Sequence, residues 1–186
     1  MNPRDFALQL FDPLRPIKNL LMTAPDVKWL GASFVAYHDP RRAPQYYAFE
    51  VWPGLSEAEL RKCEESLHLQ VPPIYKVILS QINGGRLGAV RLYGVPSSML
   101  ERGLLNRSQR QPLDLATANR NWRNEFPGCK SLFHVGGIHW TSDDNAGIFI
   151  RENGELAAVL HSGETIKLFE DFETLLQYGA ASLQAA

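Results

Sequence analysis

The sequence predicts an α+β fold, in which a mixed or antiparallel sheet packs against helices within a single domain. Two observations predict this class. Short segments with apolar residues at helical spacing lie among separate strand-like segments that are rich in aromatic and β-branched residues. The chain has 186 residues, of which 45% are hydrophobic, and this length suits one domain with a sizeable core.

The sequence also indicates the cellular compartment in which the protein is expected. No apolar run approaches the length of a membrane span, and the N-terminus lacks the residue order of a secretory signal. Two cysteines, Cys63 and Cys129, are too few for a disulfide framework and favour a reducing cytoplasm. Cys63 lies on an apolar helical face, so we expect its thiol to be buried and unreactive.

Residues 1–54 are predicted to be an N-terminal extension. Prolines divide residues 1–30 into one or two short helices. Strand-like residues at 31–37 and 46–52 flank a polar loop, which predicts an antiparallel strand pair. A Pro-Gly step then separates this extension from the main domain, residues 55–186.

The main domain opens with the clearest element, a helix over residues 56–68. Ser56 is placed to cap its first turn, and Glu59 stands three residues later, as a capping box requires. Its buried stripe is predicted to be Leu60, Cys63 and Leu67.

A second helix is predicted over residues 73–83, opened by Pro73 after Pro72. One apolar face is assigned to Ile74, Val77, Ile78 and Ile82, flanked by Tyr75 and Leu79. The two helices are expected to pack side by side through Leu60, Cys63, Leu67, Val77 and Ile78.

The second helix runs into Asn83, Gly84 and Gly85. A phosphate-binding loop runs from strand to glycines to helix, and here the order is reversed. We therefore interpret the glycines as a helix end, with Asn83 or Gly84 in the left-handed conformation. One strand is expected to follow, over residues 86–95.

The remaining elements have local signals. After an arginine-dotted loop at 97–112, a helix is predicted over 113–126, then a short strand at 132–137. A hairpin is expected with Asn153 and Gly154 at its turn, followed by one more strand. Asp171 is placed to cap a closing helix.

Taken in order, these motifs resemble those of the SUKH superfamily. The resemblance rests on SEAELRKCEESL, LxVPPxY, ILxxINGG and a strand ending LYG, followed by an acidic loop, a hairpin and a closing DFxxLL helix. It covers roughly residues 55–178. The family includes Smi/Knr-type regulators of cell-wall assembly and bacterial immunity proteins. The residues of this chain that match its motifs are Ser56, Glu59, Pro72, Pro73, Tyr75, Asn83, Gly84 and Gly85.

The resemblance implies a cytoplasmic, non-catalytic protein-binding module, an immunity protein that neutralises a toxin domain of a bacterial polymorphic toxin system. A general regulatory or scaffold protein of the Smi/Knr type is the alternative. No cofactor and no membrane are implied, and the oligomeric state stays open. The loop at 97–112 and the N-terminal strands depart from the family pattern and could redirect the partner.

Charge is unevenly distributed along the chain. Residues 86–123 carry seven arginines and two acids, whereas residues 139–186 carry eight acids and two basic residues. Segregated charge can steer a partner of opposite sign, although two complementary faces of one domain would look the same. An acidic partner would use the arginine region, and a basic nuclease toxin would use the acidic third.

Enzymatic, metal and nucleic-acid functions find little support in the residues. His139, Asp143 and Asp144, with His134 and His161 on nearby strands, could ligate a metal, but they match neither calcium-loop nor zinc spacing. The sequence contains no GxSxG motif. The arginine-rich stretch could contact nucleic acid, although the aromatic RNA-binding motifs and a basic recognition helix are missing.

The partner is predicted to contact the loop at 140–145. A loop held by a rigid sheet commonly carries function, and this one pairs an aromatic anchor with adjacent charges. The predicted contact residues are Trp140, Ser142, Asp143, Asp144 and Asn145. A structural alternative is that Trp140 belongs to the core and the aspartates only solvate a turn.

Overall fold

The computed structural model describes residues 2–43, 46–67, 70–96, 111–139 and 145–184. Its α-helices are α1 (Pro3–Gln9), α2 (Arg15–Thr23), α3 (Glu57–Leu67), α4 (Pro73–Gln81), α5 (Leu115–Arg120) and α6 (Phe172–Gln184). Short 3₁₀ helices lie at Asp12–Leu14 and Trp122–Glu125. None of the helices in these ranges is long and apolar enough to cross a membrane.

Nine strands of the described chain form one antiparallel sheet in sequence order. The first five are β1 (Lys28–Leu30), β2 (Ser33–His38), β3 (Tyr47–Pro53), β4 (Ile82–Leu87) and β5 (Val90–Leu92). The last four are β6 (Phe133–His139), β7 (Asn145–Ile150), β8 (Leu156–Val159) and β9 (Thr165–Phe169). The α+β class is therefore confirmed. The strands of the N-terminal extension share this sheet through the pairing of β3 with β4.

One face of the sheet, the inner face, supports the main core. From β2 to β8, a cross-strand row on this face contains only apolar residues and glycines, namely Phe34, Val51, Gly85, Leu92, Gly136, Ile148 and Ala158; on β9 the row ends at Lys167. Helices α1, α2, α4 and α6 place their buried side chains in the same cluster. Phe6 of α1, for example, stacks on Phe34 with ring centroids 4.9 Å apart. Burial of each large apolar side chain contributes about 1.5–3 kcal/mol.

Several local predictions are confirmed. The backbone N–H of Ser56 donates to the Glu59 carboxylate and the N–H of Glu59 donates to the Ser56 hydroxyl, which completes the capping box of α3. Pro72 and Pro73 occupy the N-cap and the first position of α4. At the other end of the chain, Asp171 accepts the backbone N–H of Thr174 in the first turn of α6.

The predicted apolar face of α4 was partly wrong. Val77 and Ile74 are 46% and 43% exposed, whereas Tyr75, Ile78 and Leu79 are fully buried. Both stripes obey helical spacing, since the helix is apolar on most of its circumference. Packing against the sheet selects the stripe that contains Tyr75. Of the residues expected between α3 and α4, Leu60, Cys63 and Ile78 lie in the main core and Val77 is 46% exposed. The side chain of Leu67 is not among those described.

The interpretation of Asn83, Gly84 and Gly85 as a helix end was also wrong. Helix α4 ends at Gln81, Ile82 is already extended, and the three residues belong to β4. Gly84 does adopt a positive φ of 76°, as predicted, but inside the strand. There Asn83 and Gly84 stand opposite the single residue Trp52, which makes a β-bulge.

Two further predicted elements differ in extent. The strand expected over 86–95 is the end of β4, a tight turn and β5. The helix expected over 113–126 stops at Arg120, although Asp114 caps it as predicted by accepting the N–H of Ala116. A 3₁₀ helix then redirects the chain toward the opposite face of the sheet.

Candidate functional site

The face of the sheet opposite the main core, the outer face, has a different composition. Its cross-strand row, alternating with the inner row, contains Val35, Glu50, Arg86, Arg91, Gly137, Gly147 and Val159. The centre of this row is charged, valines flank it on β2 and β8, and the edge strands end it with Lys28 and Thr165. Gly137 and Gly147 contribute no side chain, so they leave a recess between the charged centre and the valine on β8.

The first cavity, of about 470 Å³, lies over these two glycines. Its volume falls within the range of pockets that hold small ligands or anchoring side chains. Arg91 of strand β5 and Tyr93 just after it line the cavity, and the 3₁₀ helix after α5 supplies Trp122 and Glu125. The rest of its lining is Leu113, Phe126, His134, Ile138, His139, Asn145, Ala146 and His161 with the two glycines.

His134 forms the buried side of this cavity. A one-residue bulge in β6 puts both Val135 and Ile138 into the inner core, while His134 faces outward. The imidazole stacks on Phe149 with centroids 4.4 Å apart, and Phe126 meets it edge-on. Because burial disfavours the imidazolium, the pKa of His134 falls from the ordinary 6.5 to about 4. This histidine is therefore neutral across the physiological range.

Neither ring nitrogen of His134 has a partner at hydrogen-bonding geometry within the described chain. The backbone groups of Ala118 and Gly136 lie close enough to favour the charged form without offsetting the effect of burial. The ring fits only because residue 147 is glycine. A Cβ there would lie 2.9 Å from His134 Nε2 and 2.7 Å from the Phe149 ring.

Arg91 and His139 form the boundary between the first cavity and a second one. Nδ1 of His139 lies 2.9 Å from Oδ1 of Asn145, an amide oxygen that can only accept. This contact orients the His139 ring at the boundary. Arg91 is exposed beside it.

The second cavity, of about 520 Å³, lies where the β2–β3 loop meets the β4–β5 turn and the end of α6. Among the described residues, its charged lining consists of Arg41, Arg42 and Arg91 and the carboxylate of Asp39. Arg41 Nε lies 3.1 Å from the Asp39 carboxylate, and this hydrogen bond is the main reason why the pKa of Asp39 is lowered. Asp39 therefore stays ionised and neutralises only part of the basic cluster.

Tyr37, also on the second cavity, has a strained backbone. Its φ is 56°, a value that a bulky residue adopts at a cost of about 1–3 kcal/mol. The carboxylate of Asp26 supports this conformation, since its two oxygens accept the backbone N–H groups of Tyr37 and His38. The strained turn directs the following loop, with its two arginines, over the outer face.

Only part of the predicted contact loop can be located. Trp140, Ser142, Asp143 and Asp144 lie outside the described residues. Asn145 is the first residue of β7, is exposed, and lines the first cavity beside His139. The predicted loop therefore connects two strands that border the recess.

The histidines that sequence spacing grouped as potential metal ligands are separated by an aromatic ring. The ring of Phe126 lies between His134 and His161, with His161 stacked on it at 4.3 Å between centroids. Within the ranges that the structure covers, no three His, Cys, Asp or Glu side chains are grouped so that they could hold a metal. The adjacent aspartates 143 and 144 fall outside those ranges.

Two of the residues on which the resemblance to the SUKH motifs rests make side-chain hydrogen bonds to the sheet on the side opposite the recess. The hydroxyl of Tyr75 reaches the carbonyls of Tyr93, just after β5, and of Val135 in the neighbouring strand β6. Asn83 donates to the Val95 carbonyl and accepts the Val95 N–H, so its buried side chain acts as a strand partner. These contacts give the asparagine and tyrosine structural roles.

The glycines at 84 and 85 allow neighbouring strands to approach closely. A Cβ on Gly84 would lie 2.9 Å from the Leu92 carbonyl oxygen, and one on Gly85 would lie 2.8 Å from the Glu50 carbonyl oxygen. Both positions therefore exclude side chains for reasons of packing, in addition to the positive φ of Gly84.

Sequence analysis missed Arg41, Arg42 and Tyr46, which line the second cavity, and placed Trp122 only within the helix predicted over 113–126. An Arg-Arg pair followed by Tyr-Tyr was a visible signal in that loop. Its importance depends on Arg91, which is about fifty positions away in the chain and is brought beside it only by the sheet.

Comparisons with known proteins give no relative from which a function could be transferred. No family model matches the sequence, and neither the curated proteins nor the solved structures contain a significant match.

Proposed function

We propose that this chain is a non-catalytic protein-binding module, an immunity protein that neutralises a toxin domain of a bacterial polymorphic toxin system. The observation that supports this function best is the recess on the outer face of the sheet. Its borders carry Arg91, Tyr93 and Trp122, which are the residue types most enriched at the energetic centres of protein interfaces.

The order of elements supports the relation to the SUKH superfamily. The motif residues Tyr75 and Asn83 make buried contacts that tie helix α4 and strand β4 to the centre of the sheet. A motif whose members brace one sheet is what a shared scaffold with variable binding surfaces requires.

A cytoplasmic location is part of the proposal. Cys63 and Cys129 are both free and buried, and burial raises the pKa of the Cys63 thiol to about 11. Thiols in this state are unreactive at physiological pH, in agreement with the expectation from the sequence, and free cysteines suit a reducing compartment.

Co-expression provides the test. A candidate toxin domain from a neighbouring gene is produced in a bacterial host with and without this chain. Growth is measured, and complex formation is followed by size-exclusion chromatography. We expect protection together with a stable complex. Trp122→Ala should weaken both, because it removes an aromatic wall of the recess.

Loss of protection must be separated from loss of folding. Circular dichroism of each variant gives that control, and Leu8→Ala, which truncates a side chain 65% exposed on α1, should protect like the wild type. If the folded wild-type chain gives no protection and binds several unrelated proteins, the regulatory scaffold of the Smi/Knr type replaces the immunity function.

A further inference from the structure

We propose that the partner inserts an acidic segment across the boundary of the two cavities, where Arg91, Arg41 and Arg42 hold its carboxylates. This inference rests on the proposed function, because it specifies the chemistry of a protein partner. It replaces the alternative in which a basic partner contacts the acidic third of the chain.

The first support is a cross-strand pair of like charges. Arg86 and Arg91 are direct neighbours on β4 and β5, an arrangement that destabilises a sheet. Arg86 is partly compensated, since it donates to the Tyr47 carbonyl, lies over the Tyr46 ring and neighbours Glu50 on β3. Arg91 makes no hydrogen bond, ion pair or ring contact with the rest of the described chain. Its side chain is exposed, and none of the described residues holds its guanidinium.

The second support is the exposed pair on the β2–β3 loop. The Arg41 and Arg42 side chains are 86% and 60% exposed, and they share the single carboxylate of Asp39. Arg42 is oriented by Tyr46, over whose ring its guanidinium lies at 5.3 Å and whose hydroxyl accepts a hydrogen bond from it. A guanidinium held in one orientation binds a carboxylate with less loss of entropy.

The third support is that nearby acids do not cancel this charge. Glu50 is buried at 4% exposure and accepts a hydrogen bond from Ser33, so it is directed toward β2. Among the described residues that line the cavities, Glu125 is the acid of the first and Asp39 that of the second. Within this described lining of the second cavity, three arginines face one carboxylate, although the chain as a whole has a net charge of −1.

The shape of the surface admits an extended segment. Between the arginines, the floor of the second cavity is formed by Ala48, Gly88 and Ala89, and that of the first by Gly137 and Gly147. Small residues let a partner backbone approach the sheet closely. An aromatic side chain of the segment would then enter the first cavity beside Tyr93 and Trp122, whose rings meet edge to face with centroids 5.6 Å apart.

The test uses a short fluorescent peptide of alternating glutamate and tyrosine, titrated into the full chain at low salt and followed by fluorescence anisotropy. We expect saturable binding that weakens as salt is added. Arg91→Glu should lower the affinity about tenfold or more, and Arg42→Glu should act in the same direction. Arg4→Glu is the matched control, because it makes the same charge change on α1, which packs on the inner face of the sheet.

The proposal is overturned if the wild-type chain does not bind the peptide saturably, or if Arg4→Glu weakens binding as much as Arg91→Glu does. It is equally overturned if a control peptide of alternating lysine and tyrosine, or a single-stranded oligonucleotide, binds as tightly as the glutamate–tyrosine peptide and with the same dependence on Arg91. A dimer in sedimentation that dissociates on Arg91→Glu would assign the surface to a second copy instead.

The protection assay distinguishes this inference from the proposed function. If the wild-type chain protects against the toxin and Arg91→Glu protects equally, the immunity function stands and the acidic segment is wrong. If no toxin is neutralised but peptide binding depends on Arg91, the surface stands and the immunity function is wrong.

Discussion

The inner and outer faces of the sheet use the same strands for different purposes. Along matching rows from β2 to β8, the inner face presents only apolar residues and glycines, while the outer face places Glu50, Arg86 and Arg91 at its centre. Adjacent residues of a strand point to opposite faces, so one backbone can hold a core and a binding surface at once. The main core that stabilises this protein therefore lies on one face of the sheet, and the candidate recognition surface lies on the other.

The division is incomplete, because part of the outer face is also buried. Phe126 and Cys129 cover Phe149, Ala157 and Val159 in a second, smaller cluster. His134 extends this cluster to the first cavity. The recess is therefore a boundary between a small core and an exposed polar surface, as is usual for sites that need both rigidity and access.

The largest effect is expected on the inner face. Ile78→Ala should lower the free energy of unfolding by about 2–5 kcal/mol, because it leaves a cavity beneath β4. Val77→Ala, one residue away on the exposed side of α4, should change it by less than about 0.5 kcal/mol. Urea denaturation measures both. Equal losses in the two variants would show that Val77 is buried as deeply as Ile78.

The second effect tests the buried part of the outer face. The unfolded chain binds a proton at His134 near pH 6.5, whereas the folded protein resists until about pH 4, so stability falls as pH decreases through this window. Lowering the pKa of His134 from 6.5 to about 4 corresponds to a loss of about 3 kcal/mol in the free energy of unfolding at acid pH.

Replacing this histidine isolates its contribution. Denaturation of the wild type and of His134→Phe at several pH values should show a steeper acid loss in the wild type. His161→Gln, at an exposed position, should follow the wild type. Parallel curves for wild type and His134→Phe would mean that His134 titrates as in water and is not buried.

A smaller effect tests the connection between helix layer and sheet. Tyr75→Phe removes the hydroxyl that reaches the carbonyls of Tyr93 and Val135, and should cost about 1–2 kcal/mol of unfolding free energy. Tyr178→Phe is the matched control, since the Tyr178 ring packs on Phe169 and its hydroxyl makes no hydrogen bond to the described chain. A cost at Tyr178 as large as at Tyr75 would contradict this role.

The smallest effect is expected at the centre of the outer face. Arg91→Ala should leave the thermal midpoint unchanged or raise it slightly, because it removes the like-charge neighbour of Arg86. The corresponding gain in the free energy of unfolding is at most about 0.5 kcal/mol. Differential scanning calorimetry at low and high salt measures the change. A clear loss of stability would show that Arg91 serves the fold, and the division between the two faces would not hold there.

Much of this architecture was predictable because its signals are local. The capping box of Ser56 and Glu59 and the cap at Asp171 are satisfied within one helical turn. The Asn153–Gly154 turn is likewise local, with Gly154 at a φ of 88°. Short-range steric and hydrogen-bonding preferences specify these features wherever the segment lies.

The features that could not be predicted depend on partners distant in the chain. Helix α4 offers two apolar stripes, and only docking on the sheet distinguishes Tyr75 and Ile78 from Ile74 and Val77. Asn83 and Gly84 suit a helix end as well as a bulged strand. They enter β4 because Val95 supplies hydrogen bonds to the Asn83 side chain and Gly85 pairs with Val51 on β3.

The candidate site follows the same rule. The sequence predicted Asn145 at a contact loop and a surplus of arginine in residues 86–123, and both concern the border of the recess. The meeting of Arg91 with Arg41 and Arg42 required the pairing of β2 with β3, β3 with β4, and β4 with β5. Burial of the inner row sets the register between the strands. The charged residues of the outer face are therefore brought together by a core to which they do not contribute.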